Sequence, residues 1–221
     1  MRLHLRTFML AVLLILLFLA MSIDVRASTE KEWQFRVYLD DKEIGYHRVQ
    51  MIPEDDRKRV TVEARFDVKF FFINAYSYDH RTEEVWKGSC LADIQSHTDD
   101  NGEQLFVRKL PQGKGFTLIT HQGEQQLDGC VRSFAYWDPE LLKASRLLNT
   151  QTGEYEKVQV LRLGDTSIEI GGRSVEAIQY RLVIGERSID LWYTPDMNWL
   201  ALQSMTDGGY RISYYPAGEV L

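Results

Sequence analysis

Val60-Thr61-Val62-Glu63-Ala64-Arg65-Phe66-Asp67-Val68-Lys69-Phe70-Phe71-Phe72 alternates apolar and polar side chains almost to its end. Val60, Val62, Ala64, Phe66, Val68, Phe70 and Phe72 fall on one face; Thr61, Glu63, Arg65, Asp67 and Lys69 fall on the other. Successive side chains of an extended backbone point to opposite faces, so this is a long strand with one dry and one wet side. Such strands belong to antiparallel sheets. Parallel sheets are covered on both faces, carry near-continuous apolar strands and need crossover helices. A one-faced strand of this length predicts a sheet that curves around a core. Phe71 breaks the pattern by placing a ring on the polar face.

The same period continues on both sides. Trp33, Phe35, Val37 and Leu39 alternate with Gln34, Arg36, Tyr38 and Asp40, and the polar Asp40-Asp41-Lys42-Glu43 leads into a second strand over 44–52. Further strands are expected over 76–86, 90–98, 105–110 and 116–121. Asp99-Asp100-Asn101-Gly102 lies between two of them with hairpin-turn chemistry, because Asn and Gly tolerate positive φ. Past Cys130 the pattern changes. Asp138-Pro139-Glu140 reads as a helix start, with Asp as N-cap and Pro in the first turn, and Leu141, Ala144 and Leu148 share a face up to Asn149. Strands resume over 155–163, 167–170, 174–184, 188–193, 200–205 and 210–215. Gly164-Asp165, Gly171-Gly172, Gly185-Glu186, Pro195-Asp196 and Asp207-Gly208-Gly209 separate them as turns. The fold class predicted is mainly β: a strongly curved antiparallel meander or half-open barrel, with one short helix over about 138–149 packed on it as a second layer.

The N-terminus carries a different signal. Arg2 and Arg6 precede an uncharged run from Thr7 to Ile23, and Val25-Arg26-Ala27 puts small side chains where a signal peptidase reads its substrate. Residues 1–27 are therefore expected to be a secretory signal peptide, delivering a single β domain over 28–221 to the periplasm or the medium. A retained membrane anchor is the alternative, since the run is close to spanning length. Loss of residues 1–27 would move the net charge from −6 to about −8. An acidic chain without a Lys/Arg cluster argues against nucleic-acid partners. Cys90 and Cys130 are the two cysteines, and outside the cytoplasm an even count reads as a disulfide. Two free thiols or a redox pair are the other readings, though redox pairs usually sit as C-x-x-C.

No catalytic or metal motif stands out. His47, His80, His97 and His121 form no H-x-x-x-H pair, so the sequence predicts neither a metal site nor a cofactor. Asp99–Glu103 lacks the alternate-position acids of a calcium loop. There is no G-x-S-x-G elbow, and the Gly-rich stretches lack a phosphate-loop Lys. His47 and His80 are the polar candidates, with His80 sharing strand parity with Tyr76, Tyr78 and Trp86. Aromatic residues off the core face or beside turns are the candidates for ligand contact: Phe71, Tyr136, Trp137, Trp192 and Trp199. Such rings can line the mouth of an apolar pocket, and equally can serve core and rim packing.

Several strings together resemble a family of uncharacterised secreted bacterial proteins. They are Trp33-Gln34-Phe35-Arg36-Val37 with Gly45-Tyr46-His47-Arg48; Ala64-Arg65-Phe66-Asp67-Val68; Cys90 with Thr98-Asp99-Asp100-Asn101-Gly102; Cys130 with Ser133-Phe134-Ala135-Tyr136-Trp137; Leu147-Leu148-Asn149 with Gln151-Thr152-Gly153; and Asp190-Leu191-Trp192-Tyr193. The layout is also similar to half-barrel carriers of the lipoprotein-localisation type. The resemblance implies an antiparallel β fold and a bacterial envelope location, and brings no activity. The leading expectation is a non-enzymatic envelope protein that holds a lipid or other apolar or amphiphilic ligand, or a partner protein, in a curved sheet. A membrane would be met only through an uncleaved signal segment. A hydrolytic enzyme acting on an envelope substrate and an assembly module using a sheet edge are the competing expectations.

Overall fold

The computed structural model describes residues 29–70, 73–111 and 115–218. The expected signal peptide over 1–27, and Phe71 and Phe72, lie outside the described residues. Among the described residues there are fifteen strands: β1 (Lys31–Leu39), β2 (Lys42–Glu54), β3 (Arg57–Phe70), β4 (Ile73–Lys87), β5 (Cys90–Asp100), β6 (Glu103–Lys109), β7 (Phe116–Thr120), β8 (Gly123–Leu127), β9 (Arg146–Leu148), β10 (Tyr155–Lys157), β11 (Gln159–Ile170), β12 (Arg173–Ile184), β13 (Arg187–Tyr193), β14 (Trp199–Met205) and β15 (Arg211–Pro216).

Thirteen of them form one antiparallel sheet in the order β11-β12-β13-β14-β15-β1-β2-β3-β4-β5-β6-β7-β8. The sheet is large, curved and not closed into a barrel. The meander expected from the turns is cut once, because the last strand returns to pair with the first. Val37 lies opposite Tyr214 in that β1–β15 seam. The alternation of β3 holds in space: Val60 and Ala64 are buried, and Arg65 between Ala64 and Phe66 is exposed. Asn101 and Gly102 take positive φ, 52° and 96°, in a two-residue hairpin between β5 and β6. Gly164-Asp165, by contrast, is no turn. β11 runs through it as one strand, with a bulge where the register shifts between Arg162 and Gly164.

Between β8, at one edge of the sheet, and β11, at the other, residues 128–158 cross the concave side. Here the expected helix is corrected. Asp138 does cap a helix start, its carboxylate accepting from the Glu140 N–H at 3.2 Å, but the element is a 3₁₀ helix over Pro139–Lys143 only. Ala144 is already extended, and Arg146–Leu148 is strand β9, paired with β10. Tertiary pairing overrides helix propensity: Leu148 N–H reaches Arg132 O at 2.7 Å and Val158 N–H reaches Ser145 O at 3.0 Å. Leu147 and Leu148, adjacent in sequence, are both fully buried.

The main core joins this segment to the sheet. Val131, Ala135, Trp137, Leu141, Leu147, Leu148 and Val158 pack with Phe35, Val49, Val60, Trp86, Leu118, Leu182 and Tyr193. Cys90 and Cys130 are disulfide-bonded, with Cα atoms 5.0 Å apart, and so pin the start of the crossing segment to β5. Leu91 N–H to Val131 O at 2.8 Å continues the attachment. No described helix is long and apolar enough to cross a membrane.

Candidate functional site

The register of the first five strands places Phe35, His47, Ala64, His80 and Thr98 in one row across β1–β5. Directly paired residues point to the same face. With strands about 4.8 Å apart, His47 and His80 stand ~10 Å from each other across Ala64. The methyl group of Ala64 leaves room between two larger side chains, and a cavity of about 240 Å³ lies there. Val49, Val62 and Phe66 extend its floor, and Ile189, Trp199 and Tyr214 give it a wall from β13, β14 and β15. The crossing segment supplies the roof with Ser133–Trp137, Asn149–Gln151 and Glu156.

The roof is held by particular contacts. The Tyr193 hydroxyl donates to Tyr136 O at 2.8 Å. The Tyr78 hydroxyl donates to Gln151 Oε1 at 3.2 Å, and Gln151 Nε2 donates to Asp100 Oδ2 at 3.0 Å. Glu156 pairs with Arg187 at 2.6 Å and accepts from Asn149 Nδ2 at 3.1 Å. On the far side, Gln125 of β8 donates to Gly153 O. The hairpin of β9 and β10 therefore ties β4, β5, β8 and β13 to one another.

The two histidines differ. Both ring nitrogens of His80 are satisfied, Nδ1 with Thr98 Oγ1 and Nε2 with Thr82 Oγ1, each at 2.8 Å. His47 packs edge-on against Tyr214 and Trp199, with ring centroids 5.3 and 5.8 Å away, and neither of its nitrogens has a hydrogen-bond partner. Part of the residue faces the cavity while both nitrogens are shielded from bulk water. Burial, with His80 nearby adding to it, pushes the His47 pKa down to about 3, and burial, then His97, lowers His80 to about 4. Both imidazoles are thus neutral at pH 7. Glu84, buried on the same face as His80, is pushed up to about 7 by burial, against the opposing pull of the Trp86 N–H that it accepts at 2.7 Å. Burial also raises the Tyr136 and Tyr214 hydroxyls far above their usual range, so both stay protonated.

Five of the residues singled out in the sequence meet at this cavity: His47, His80, Tyr136, Trp137 and Trp199. Trp192 does not. It sits on the opposite side of β13 from Leu191 and Tyr193, packed with Ile170, Ala177, Leu200 and Ala201. Phe71 is outside the described residues. Sequence reading missed Ala64 as the floor, Glu84, and the Glu156–Arg187 and Tyr78–Gln151–Asp100 contacts. These depend on register and on the crossing segment, which no local pattern encodes. Among the described residues no group of His, Cys, Asp and Glu is arranged to hold a metal ion.

The chain belongs to the family described as Domain of unknown function (DUF6134), whose model matches residues 35–217. A search of curated proteins finds no match. Among solved structures, the chain is similar to a beta-barrel-like protein of domain of unknown function DUF1849 from Brucella abortus. The two share 11% sequence identity at a TM-score of 0.61, over 86% of this chain and 97% of the other. At that identity the likeness concerns the fold alone.

Proposed function

For this member of the DUF6134 family we propose a non-enzymatic role: an exported envelope protein that holds a compact apolar or amphiphilic ligand in the cavity over Ala64. The observation that carries the reading is the cavity itself, walled by aromatic rings and bearing a few polar groups, which is the usual make-up of a small-molecule site. Its roughly 240 Å³ lies below the range for drug-sized ligands, so the occupant is one small molecule or the end of a chain, not a whole lipid. The disulfide is compatible with an oxidising compartment, and the charged start and apolar run of residues 1–27 motivate export. A hydrolytic reading lacks its key part. His80 is held by two threonine hydroxyls and His47 by nothing, so neither is set up by a carboxylate as a general base.

The test is displacement of volume. 1-Naphthylamine, a small fluorophore that is neutral at pH 7, should bind the purified protein and bind at least tenfold more weakly to Ala64→Leu, with near-ultraviolet circular dichroism confirming that the variant folds. Mass spectrometry of an organic extract should find a small molecule carried by the wild type and absent from the variant. Equal probe binding by both proteins would sink the proposal.

One observation favours a second reading, strand addition to a partner protein. β11 is a twelve-residue sheet edge with Leu161 and Leu163 exposed. Its bulge at Gly164 and the charges of Arg162, Asp165 and Glu169 are also how edges avoid pairing. Leu163→Lys leaving envelope cross-links unchanged would remove this reading.

A further inference from the structure

Glu84 lines the cavity from β4 and is only 3% exposed. Its Oε2 accepts from the Trp86 N–H at 2.7 Å, and its Oε1 has no hydrogen-bond partner among the described residues. The unbonded nitrogens of His47 and Trp137 are sealed inside the packing. Glu84 Oε1 is not sealed, so the little surface that Glu84 keeps is offered to the cavity. Trp86 does not by itself call for a carboxylate. Trp199 donates its own N–H to a main-chain oxygen, Ala201 O, at 3.0 Å. Nor does a cation answer Glu84. Lys58, opposite Trp86 on β3, stands over the Trp137 ring at 5.1 Å, and Arg187 is paired with Glu156. Buried carboxylates are paired as a rule, because a lone one is strongly disfavoured in its charged form. Glu84 has half of its partners from the protein and an open oxygen for the rest.

The other polar groups of the lining point the same way. Its donors are committed: Asn149 Nδ2 and Arg187 to Glu156, Gln151 Nε2 to Asp100, and the Tyr78 hydroxyl to Gln151. Its open atoms are oxygens. The Tyr136 and Tyr214 hydroxyls line the cavity without a partner among the described residues and, like Glu84 Oε1, are not sealed. A hydroxyl can give or take a hydrogen bond, and an ionised carboxylate can only take one. The polar group that fits is therefore a donor, and beside Glu84 a positively charged donor, which makes the stronger bond. An anion would find no free cation in the lining and would be repelled by Glu84. The rings of Tyr136, Trp199 and Tyr214 suit a cation as well as an apolar body. A cavity of ~150 Å³ lined by apolar groups takes one benzene, so about 240 Å³ takes a ring or a fused pair with a short arm.

Building on the binding role proposed above, we propose that the cavity takes a small amine, an apolar body carrying one primary ammonium group, with Glu84 Oε1 accepting from the ammonium and the aromatic wall holding the body. The experiment is isothermal titration of the purified protein with 1-naphthylmethylamine, 1-naphthalenemethanol and 1-naphthoate, which share a ring system and differ in polar group and charge. It is run at pH 8.0, where Glu84, pushed up to about 7 by burial, is mainly ionised and a benzylic amine is still protonated. The expected order is the amine tightest, the alcohol about tenfold weaker, and the carboxylate weakest. In Glu84→Gln, whose amide oxygen can still accept from Trp86, the advantage of the amine over the alcohol should vanish while the alcohol still binds. A second measurement needs no variant. The advantage should persist in 0.5 M NaCl, because a buried pair is screened far less than attraction to an acidic surface. Equal binding of amine and alcohol, an advantage lost in salt, or the same order in Glu84→Gln overturns this inference and leaves a binding cavity standing. So does failure of the amine to displace 1-naphthylamine. Failure of 1-naphthylamine itself to bind, together with no extracted ligand, overturns both.

Discussion

Within the sheet, most strands follow a two-residue alternation, β7 and β14 being buried in continuous runs, and all but the two edge strands are braced on both sides. Segment 128–158 has no repeat, and its place depends on one disulfide, two adjacent buried leucines, a tyrosine hydroxyl, a salt bridge and a glutamine that bonds two strands at once. The sheet is therefore redundant and the segment is not. That difference also locates the cavity. A periodic surface offers the same small change at every step, whereas the irregular segment can roof one row of the sheet and leave Ala64 uncovered. The proposed binding site lies at the contact between a regular surface and an irregular one.

If the segment rests on particular contacts, breaking them should cost far more than comparable changes in the sheet. The largest effect is expected from Cys90→Ser with Cys130→Ser. The bond closes a sequence separation of 40, and its loss should lower stability by about 4 kcal/mol in the chain-entropy account, read as the shift in urea midpoint. Leu147→Ala should follow at about 3 kcal/mol, because the side chain is fully buried in the joint between the segment and the sheet. Gly153→Ala should cost about 2 kcal/mol. Gly153 has φ +84°, and a Cβ there would stand 2.4 Å from Thr120 Cγ2 on β7. Against these, Arg65→Ala on the exposed side of β3 should change stability by less than about 0.5 kcal/mol. A segment variant as mild as Arg65→Ala would break the contrast.

The same contrast sets what the sequence reveals. The strand over Val60–Phe70, the Asn101-Gly102 hairpin and the cysteine pair are legible because each rests on a local rule: alternation, turn chemistry, even cysteine count. The Pro139 helix start is legible for the same reason, and its early end is not. Ala144–Leu148 has a helical pattern that loses to pairing with β10 and with Ser133, contacts set by the rest of the chain. Gly164 reads as a turn because glycine marks turns and bulges alike, and only the neighbouring strand distinguishes them. At the cavity, the aromatic and histidine candidates follow from residue type. Ala64 does not, since an alanine in a strand attracts no notice until the register sets it between His47 and His80. Trp192 fails for a related reason: parity along β13 turns it away from the face that Tyr193 occupies.

The dependence on pH probes the floor beneath the segment. His47 and His80 are held at about 3 and 4 against an ordinary 6.5, so as pH falls below 6.5 the unfolded chain takes up protons that the folded chain refuses. Their contribution is present above pH 6.5 and is lost on acidification towards those lower values. Glu84 works in the opposite direction. Raised from 4.5 to about 7, it is protonated in the folded chain while ionised in the unfolded one, and its contribution is lost as pH rises from 4.5 through 7. Between pH 5.5 and 6.5 two opposing histidine gains and one glutamate loss leave a net rise of about 1 kcal/mol in wild-type stability. His47→Phe should flatten that interval, and Glu84→Gln should steepen it to about 2 kcal/mol, both measured from urea midpoints at constant slope. A profile unchanged by both substitutions would mean that these groups are hydrated, and the floor would then be no drier than the outer face of the sheet.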